Sequence, residues 1–131
     1  MPGSVVDASV MAAWCFREPR ADEAFGLIDG VELHAPGLLR YELTNVARKK
    51  AIDRPGLVDS LKVSLGTALD LPIRWHDLDH SAVLELAIES GLTAYDASYL
   101  HLSRSLALPL LTFDDRLRET TAPPRPASPD V

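Results

Sequence analysis

The sequence predicts an α/β fold, a sandwich of helices on both faces of a short, mostly parallel central sheet. Two observations carry this. Four short extended segments are each separated from the next by stretches with helical spacing, and strands joined through helices pair in parallel under cover on both faces. The first segment, "SVV" from Ser4, is an apolar run without alternation, as a strand buried on both faces reads. At 131 residues the chain suits one domain with a sizeable core.

Taken in order, a strand over 4–7 leads into a helix from Val10 to about Phe16. Pro19 suits the first turn of a second helix, which runs through Ala24, Phe25 and Ile28 and closes at Gly30. "VELHAP" is extended. From Gly37 to Asp53 a helix places Leu39, Leu43, Val46 and Ala47 on one face. Pro55 discourages its continuation. Another helix, Gly56 to Asp70, stripes Leu57, Leu61, Leu65 and Leu69. "PIRWH" is the third strand, "DHSAVLELAIES" a helix ended by Gly91, "TAYDASYLHLSRSLAL" the next helix and "PLLT" the last strand. A helical turn, "DDRLRE", follows. The folded unit is expected over 1–120, and the proline-rich stretch 121–131 is expected to be disordered, having little to bury.

Composition narrows function only by exclusion. The net charge of −6 argues against a chain held on nucleic acid by bulk electrostatics, but an acidic centre that binds metal reverses the local sign where a phosphate must sit. No apolar run approaches a bilayer span, and the N-terminus lacks a signal-like charge and apolar pattern, so a cytoplasmic protein without membrane contact is expected. The single cysteine, Cys15, lies between Trp14 and Phe16 and reads as a buried structural thiol.

Four acids stand where helices begin or lean inward. Asp7 ends the first strand; it can cap the next helix, but Ser9 caps equally well and leaves Asp7 free. Glu42 sits at the edge of an apolar stripe, where a solvated glutamate is ordinary. Asp96 completes a capping box with Thr93. Asp114 follows the last strand, with Asp115 beside it. In an open parallel sheet, sites lie outside the carboxyl ends of strands. If these loops share one edge, the four carboxylates meet, and their repulsion calls for a hard divalent cation held by oxygen ligands, Mg²⁺ or Mn²⁺.

The segments "VVDASV", "YELTNVARK", "TAYDASYLHLS" and "LLTFDDRL", in this order and spacing, resemble a PIN-domain ribonuclease, most closely the VapC-type toxins of prokaryotic toxin–antitoxin pairs. The resemblance implies a PIN-like α/β/α sandwich and a metal-dependent endoribonuclease leaving 5′-phosphate and 3′-hydroxyl ends. It carries over Asp7, Glu42, Asp96 and Asp114 as the catalytic, metal-binding quartet. Asp7 and Asp96 are then direct ligands, Glu42 and Asp114 direct or water-mediated ones, and Ser9 and Thr112 orient the carboxylates. Asp115 competes with Asp114 for the last position, which the Thr-x-Asp pattern gives to Asp114.

RNA contact is expected from Arg116, close to the quartet, and from Arg48 and Lys49 in "ARKKAIDR", although cations near a helix C-terminus also complement its dipole. The resemblance further implies a homodimer and a VapB-type antitoxin lying in a groove between the two helices that span 37–53 and 56–70. Three other readings compete. A non-catalytic PIN-like interaction module is usually betrayed by a missing acid, and none is missing. A metal-dependent phosphatase of the aspartyl-phosphate type wants an acid where Ser9 stands. A plain α/β interaction domain would use every acid as a cap.

Overall fold

The computed structural model describes residues 3–121. The chain runs β1 (Gly3–Val6), α1 (Ala8–Cys15), α2 (Ala21–Ile28), β2 (Glu32–Pro36), α3 (Leu38–Asp53), a 3₁₀ turn (Pro55–Leu57), α4 (Val58–Leu69), β3 (Arg74–His76), α5 (His80–Ser90), α6 (Ala94–Leu106), β4 (Leu110–Leu111) and α7 (Asp115–Thr121). All three strand pairings are parallel, in the order β3-β2-β1-β4. β1 is buried along its whole length, as its unbroken apolar run requires.

The order fixes the location of ligand chemistry. β1, β2 and β3 step one way across the sheet, and the connection from β3 then returns to the far side of β1. With right-handed crossovers, α1 to α4 cover one face and α5 with α6 the other. The chain therefore diverges to opposite faces beyond the ends of β1 and β4, the switch point where open α/β sheets hold their ligands. Asp7 follows β1 there, and Thr112 follows β4.

The main core joins β1 and β2 to α1, α2, α3 and one side of α6, through Val5, Val6, Met11, Leu39, Leu43 and Tyr99. Leu39 and Leu43 are fully buried, worth about 1.5–3 kcal/mol each. A second cluster, including Val83, Leu86, Leu100 and Leu117, fastens α7 to α5 and α6.

Several expected boundaries move. α1 begins at Ala8 and α2 at Ala21, so Pro19 precedes the helix rather than entering it. Pro55 opens a 3₁₀ turn, so α4 starts at Val58. Of the α4 stripe only Leu61 is buried, whereas Leu57 stays 39% exposed, because the helix packs over a narrower arc than its leucines span. α7 extends through Thr121; the remainder of the expected tail, 122–131, lies outside the described residues. Among the described residues no helix is long and apolar enough to cross a membrane.

Candidate active site

Asp7 is 6% exposed and is the N-cap of α1, its Oδ1 accepting from the Val10 amide at 3.2 Å. Ser9 is therefore not the cap, which corrects the expectation that it relieves Asp7 of that role. The Ser9 hydroxyl instead donates to Asp7 Oδ1 at 2.6 Å and accepts from the Phe113 amide at 2.9 Å. Thr112 does the same on the other side: its hydroxyl donates to Asp7 Oδ2 and accepts from the Asp114 amide at 3.0 Å. Each hydroxyl accepts from a backbone N–H, so its own proton is directed at the carboxylate. These hydroxyls also join the loop after β4 to the end of β1.

Burial pushes the Asp7 carboxyl up, while hydrogen bonds from Ser9 and Thr112 pull it partly back. The three donors suit the ionised form, since a proton on either oxygen would face one of them.

Glu42 lies in the second turn of α3, away from either helix end, and its Oε1 accepts from the Tyr99 hydroxyl at 2.6 Å. Its carboxyl is raised by burial first, then by repulsion from Asp96 and Asp7. Asp96, whose backbone N–H is capped by Thr93 at 3.1 Å, is raised by burial and by Asp114, and lowered by Arg116. The Tyr99 hydroxyl is pushed up by burial first and then by Glu42, Asp7 and Asp96. Asp114 caps α7 through the Leu117 amide at 3.0 Å. Asp115 is exposed and acts on Arg20 instead. The two acids thus part company, with Asp114 facing Asp96.

These interactions link four acids from separate elements, but the linkage is looser than a finished chelate. Among the described residues, no three His, Cys, Asp or Glu side chains are grouped tightly enough to hold a metal ion as they stand. The donor set still fits a hard cation: it is all oxygen, and Mg²⁺ commonly keeps several waters and takes only one or two carboxylates directly.

The PIN domain family profile matches residues 4–123. The chain belongs to the PIN-domain family, in its VapC group. It is 34% identical over 122 residues to Ribonuclease VapC3 of Pyrobaculum aerophilum, covering 88% of this chain and 92% of that protein. It is 33% identical over 117 residues to Ribonuclease VapC9 of Mycobacterium tuberculosis, covering 88% and 89%. The crystal structure of PAE2754 from Pyrobaculum aerophilum superposes with a TM-score of 0.74 at 28% identity, over 92% of this chain and 86% of that one.

Within this PIN domain, Arg116 lies beside the acids, its guanidinium donating to Gly91 O at 2.6 Å and lowering Asp96. Arg48 and Lys49 are exposed on α3, and neither takes part in an ion pair among the described residues. Two residues near the site escaped the sequence reading. Tyr99 follows Asp96 by three positions on α6, so helical spacing alone places it on the same side. Arg20 lies 3.7 Å over the Phe113 ring, tying α2 to the loop after β4; no local signal pairs residues so far apart in sequence. Cys15 is buried and its thiol is pushed up to about 12, mainly by that burial, which agrees with a structural role.

Proposed function

We propose that this chain is a Mg²⁺- or Mn²⁺-dependent endoribonuclease that hydrolyses RNA phosphodiester bonds as the toxin of a VapB–VapC-type pair. The relatives named VapC ribonuclease support the reaction class. The observation that carries the metal-dependent part is Glu42. Asp7 and Asp114 cap helices with their carboxylates, and Asp96 stands in the first turn of α6, where a helix N-terminus accounts for an acid. Glu42 caps nothing, yet it is half-buried and repelled by Asp7 and Asp96.

A bound Mg²⁺ or Mn²⁺ would supply Lewis acidity toward the phosphate and acidify attacking water. Asp7 and Asp96 would hold the ion directly, with Glu42 and Asp114 completing the shell directly or through water. Tyr99 fixes Glu42 in one rotamer, and Ser9 with Thr112 fixes Asp7, so the carboxylates are aimed before the ion arrives. Glu42 or Asp114 would accept the proton of the attacking water. Arg116, already beside Asp96, would receive a non-bridging phosphate oxygen. Asp115, on the outward side, would act only as a rim charge. A cytoplasmic homodimer held inactive by a VapB-type antitoxin completes the reading.

Glu42→Gln tests it. The amide oxygen still accepts from Tyr99 and no cap is lost, so folding should be unchanged or firmer. Cleavage of end-labelled RNA in Mg²⁺ should fall at least 100-fold and be abolished in wild type by EDTA. Full cleavage by Glu42→Gln, or by wild type in EDTA, would sink the metal-dependent reading.

A further inference from the structure

Tyr95 stands between Ala94 and Asp96 in the first turn of α6 and is 62% exposed. It belongs to neither apolar cluster, and no ring contact, cation or hydrogen bond engages it among the described residues. Nothing in the folding of α6 asks for it: tyrosine is a middling helix former, and the first turn of a helix favours an acid.

Its place on the helix brings it to the acids. Tyr95 and Tyr99 are four residues apart, so they lie one above the other on the same side of α6, with about 5–6 Å between their Cβ atoms. Tyr99 is buried in the main core and its hydroxyl holds Glu42. Tyr95 is therefore one turn further out on the Glu42 side. Its side chain leans beyond the start of α6, since helical Cα–Cβ bonds tilt toward the N-terminus. Asp96 is about 100° further round the helix. Beyond it in the same sense come Leu100 and Ala97, which pack with Leu117 of α7, the helix that carries Arg116 and is capped by Asp114. Tyr95 and Arg116 thus flank Asp96 from opposite sides. Tyr41, 75% exposed, also directly precedes an acid, but it lies two residues from both Leu39 and Leu43, about 200° round α3 from the buried face, and points away.

We propose that Tyr95 stacks the nucleobase next to the phosphate held at the acids, so that the site takes a nucleotide whose base is unpaired and turned out. This rests on the nuclease reading above. With the phosphate between the acids and Arg116, an adjoining base falls on the Glu42 side, where the ring of Tyr95 offers an uncovered face. Stacking accepts every base, because each has a π-face, and so adds affinity without reading sequence.

The test uses the full chain with Tyr95→Leu, Tyr95→Phe and, as a control, Tyr41→Leu. Both positions are exposed, so every variant should melt close to wild type. Two fluorescein-labelled twelve-unit probes, a single-stranded oligoadenylate and an abasic strand with the same phosphates, are titrated by anisotropy in Ca²⁺, which takes oxygen ligands as Mg²⁺ does. Tyr95→Leu should weaken oligoadenylate binding about 5- to 150-fold, the value of one stacked base, and bind the abasic strand as wild type does. Tyr95→Phe keeps the ring and should match wild type on both probes, as should Tyr41→Leu. Non-additive losses of ring and base are the signature of direct contact. Equal losses on both probes, wild-type affinity in Tyr95→Leu, or no binding of oligoadenylate by wild type would overturn the proposal. So would a change of oligomeric state in Tyr95→Leu with RNA affinity unmoved, which would give the ring to a contact between copies. Mg²⁺ separates the two readings: ring-dependent binding without cleavage would end the nuclease reading, and cleavage with additive losses would end the stacking.

Discussion

Thr112 offers the sharpest test of how the site is assembled. Its hydroxyl joins the end of β4 to Asp7 at the end of β1, and its methyl is buried with it, the residue being 3% exposed. Thr112→Val keeps the shape and removes the hydroxyl. A hydrogen bond to a charged group is worth about 1.5–3 kcal/mol, and here the lost donor leaves a buried carboxylate oxygen unserved. The Asp114 amide also loses its acceptor, but Asp114 is exposed and water replaces it. The net loss should be about 2–3 kcal/mol, or about 8–12 °C in melting temperature for a domain of this size. Thr112→Ser keeps the hydroxyl and loses one buried methyl, about 0.8 kcal/mol. The difference should narrow on acidification. The Thr112 bond holds the Asp7 carboxyl down, so it stabilises the ionised form, and its contribution fades as pH falls and Asp7 takes up a proton. Differential scanning fluorimetry of both variants at pH 7.5 and 5 reads this directly. A valine variant within 1 kcal/mol of wild type at pH 7.5, or a serine variant as unstable as the valine one, would refute the account.

Further expectations concern the acids. Asp7→Asn should remove cleavage and the stabilisation by Mg²⁺, while its melting temperature in EDTA stays within about 1 kcal/mol of wild type, because relief of charge burial offsets a weaker cap; a loss above 2 kcal/mol would favour capping as its main role. Asp7, Glu42 and Asp96 all have raised carboxyls. Their stabilising contribution is full below their unfolded values, near 4, and is lost as pH rises through the folded ones, so in EDTA the Glu42→Gln and Asp96→Asn variants should gain on wild type at pH 7.5 and not at pH 4. For the same reason Mg²⁺ should raise the wild-type melting temperature at pH 7.5 and scarcely at pH 4.5, and an equal effect at both would count against carboxylate ligation. Tyr99→Phe removes the donor that lowers Glu42. It should cost about 1–2 kcal/mol in stability and move the acidic limb of the cleavage profile upward; an unmoved limb would separate Glu42 from the reaction.

Much of the fold was legible because it rests on local signals. The apolar run of β1, the glycine that closes α5 in a left-handed conformation, the Thr93 cap and the Leu39–Leu43 face each report on neighbours a few residues away. The four acids could be named for the same reason, since each stands at a recognisable place in its own element. The misreading of Ser9 shows the limit. Local chemistry makes it a good cap, but its hydroxyl is engaged by Phe113, more than a hundred residues on.

The amino-acid sequence alone determined the alternation of strands and helices, the parallel sheet and the family, because hydrophobic spacing and cap chemistry act within single elements. Only the tertiary structure decided which side chains share a space: that Tyr99 anchors Glu42, that Thr112 and Ser9 hold Asp7 from both sides, that Asp114 rather than Asp115 faces Asp96, and that Arg17 joins Lys50 and Arg54 in one cavity. Those pairings follow from the strand order and the way helices pack on the sheet, and a hydrogen bond or a charge acts through distance, to which separation along the chain is no guide.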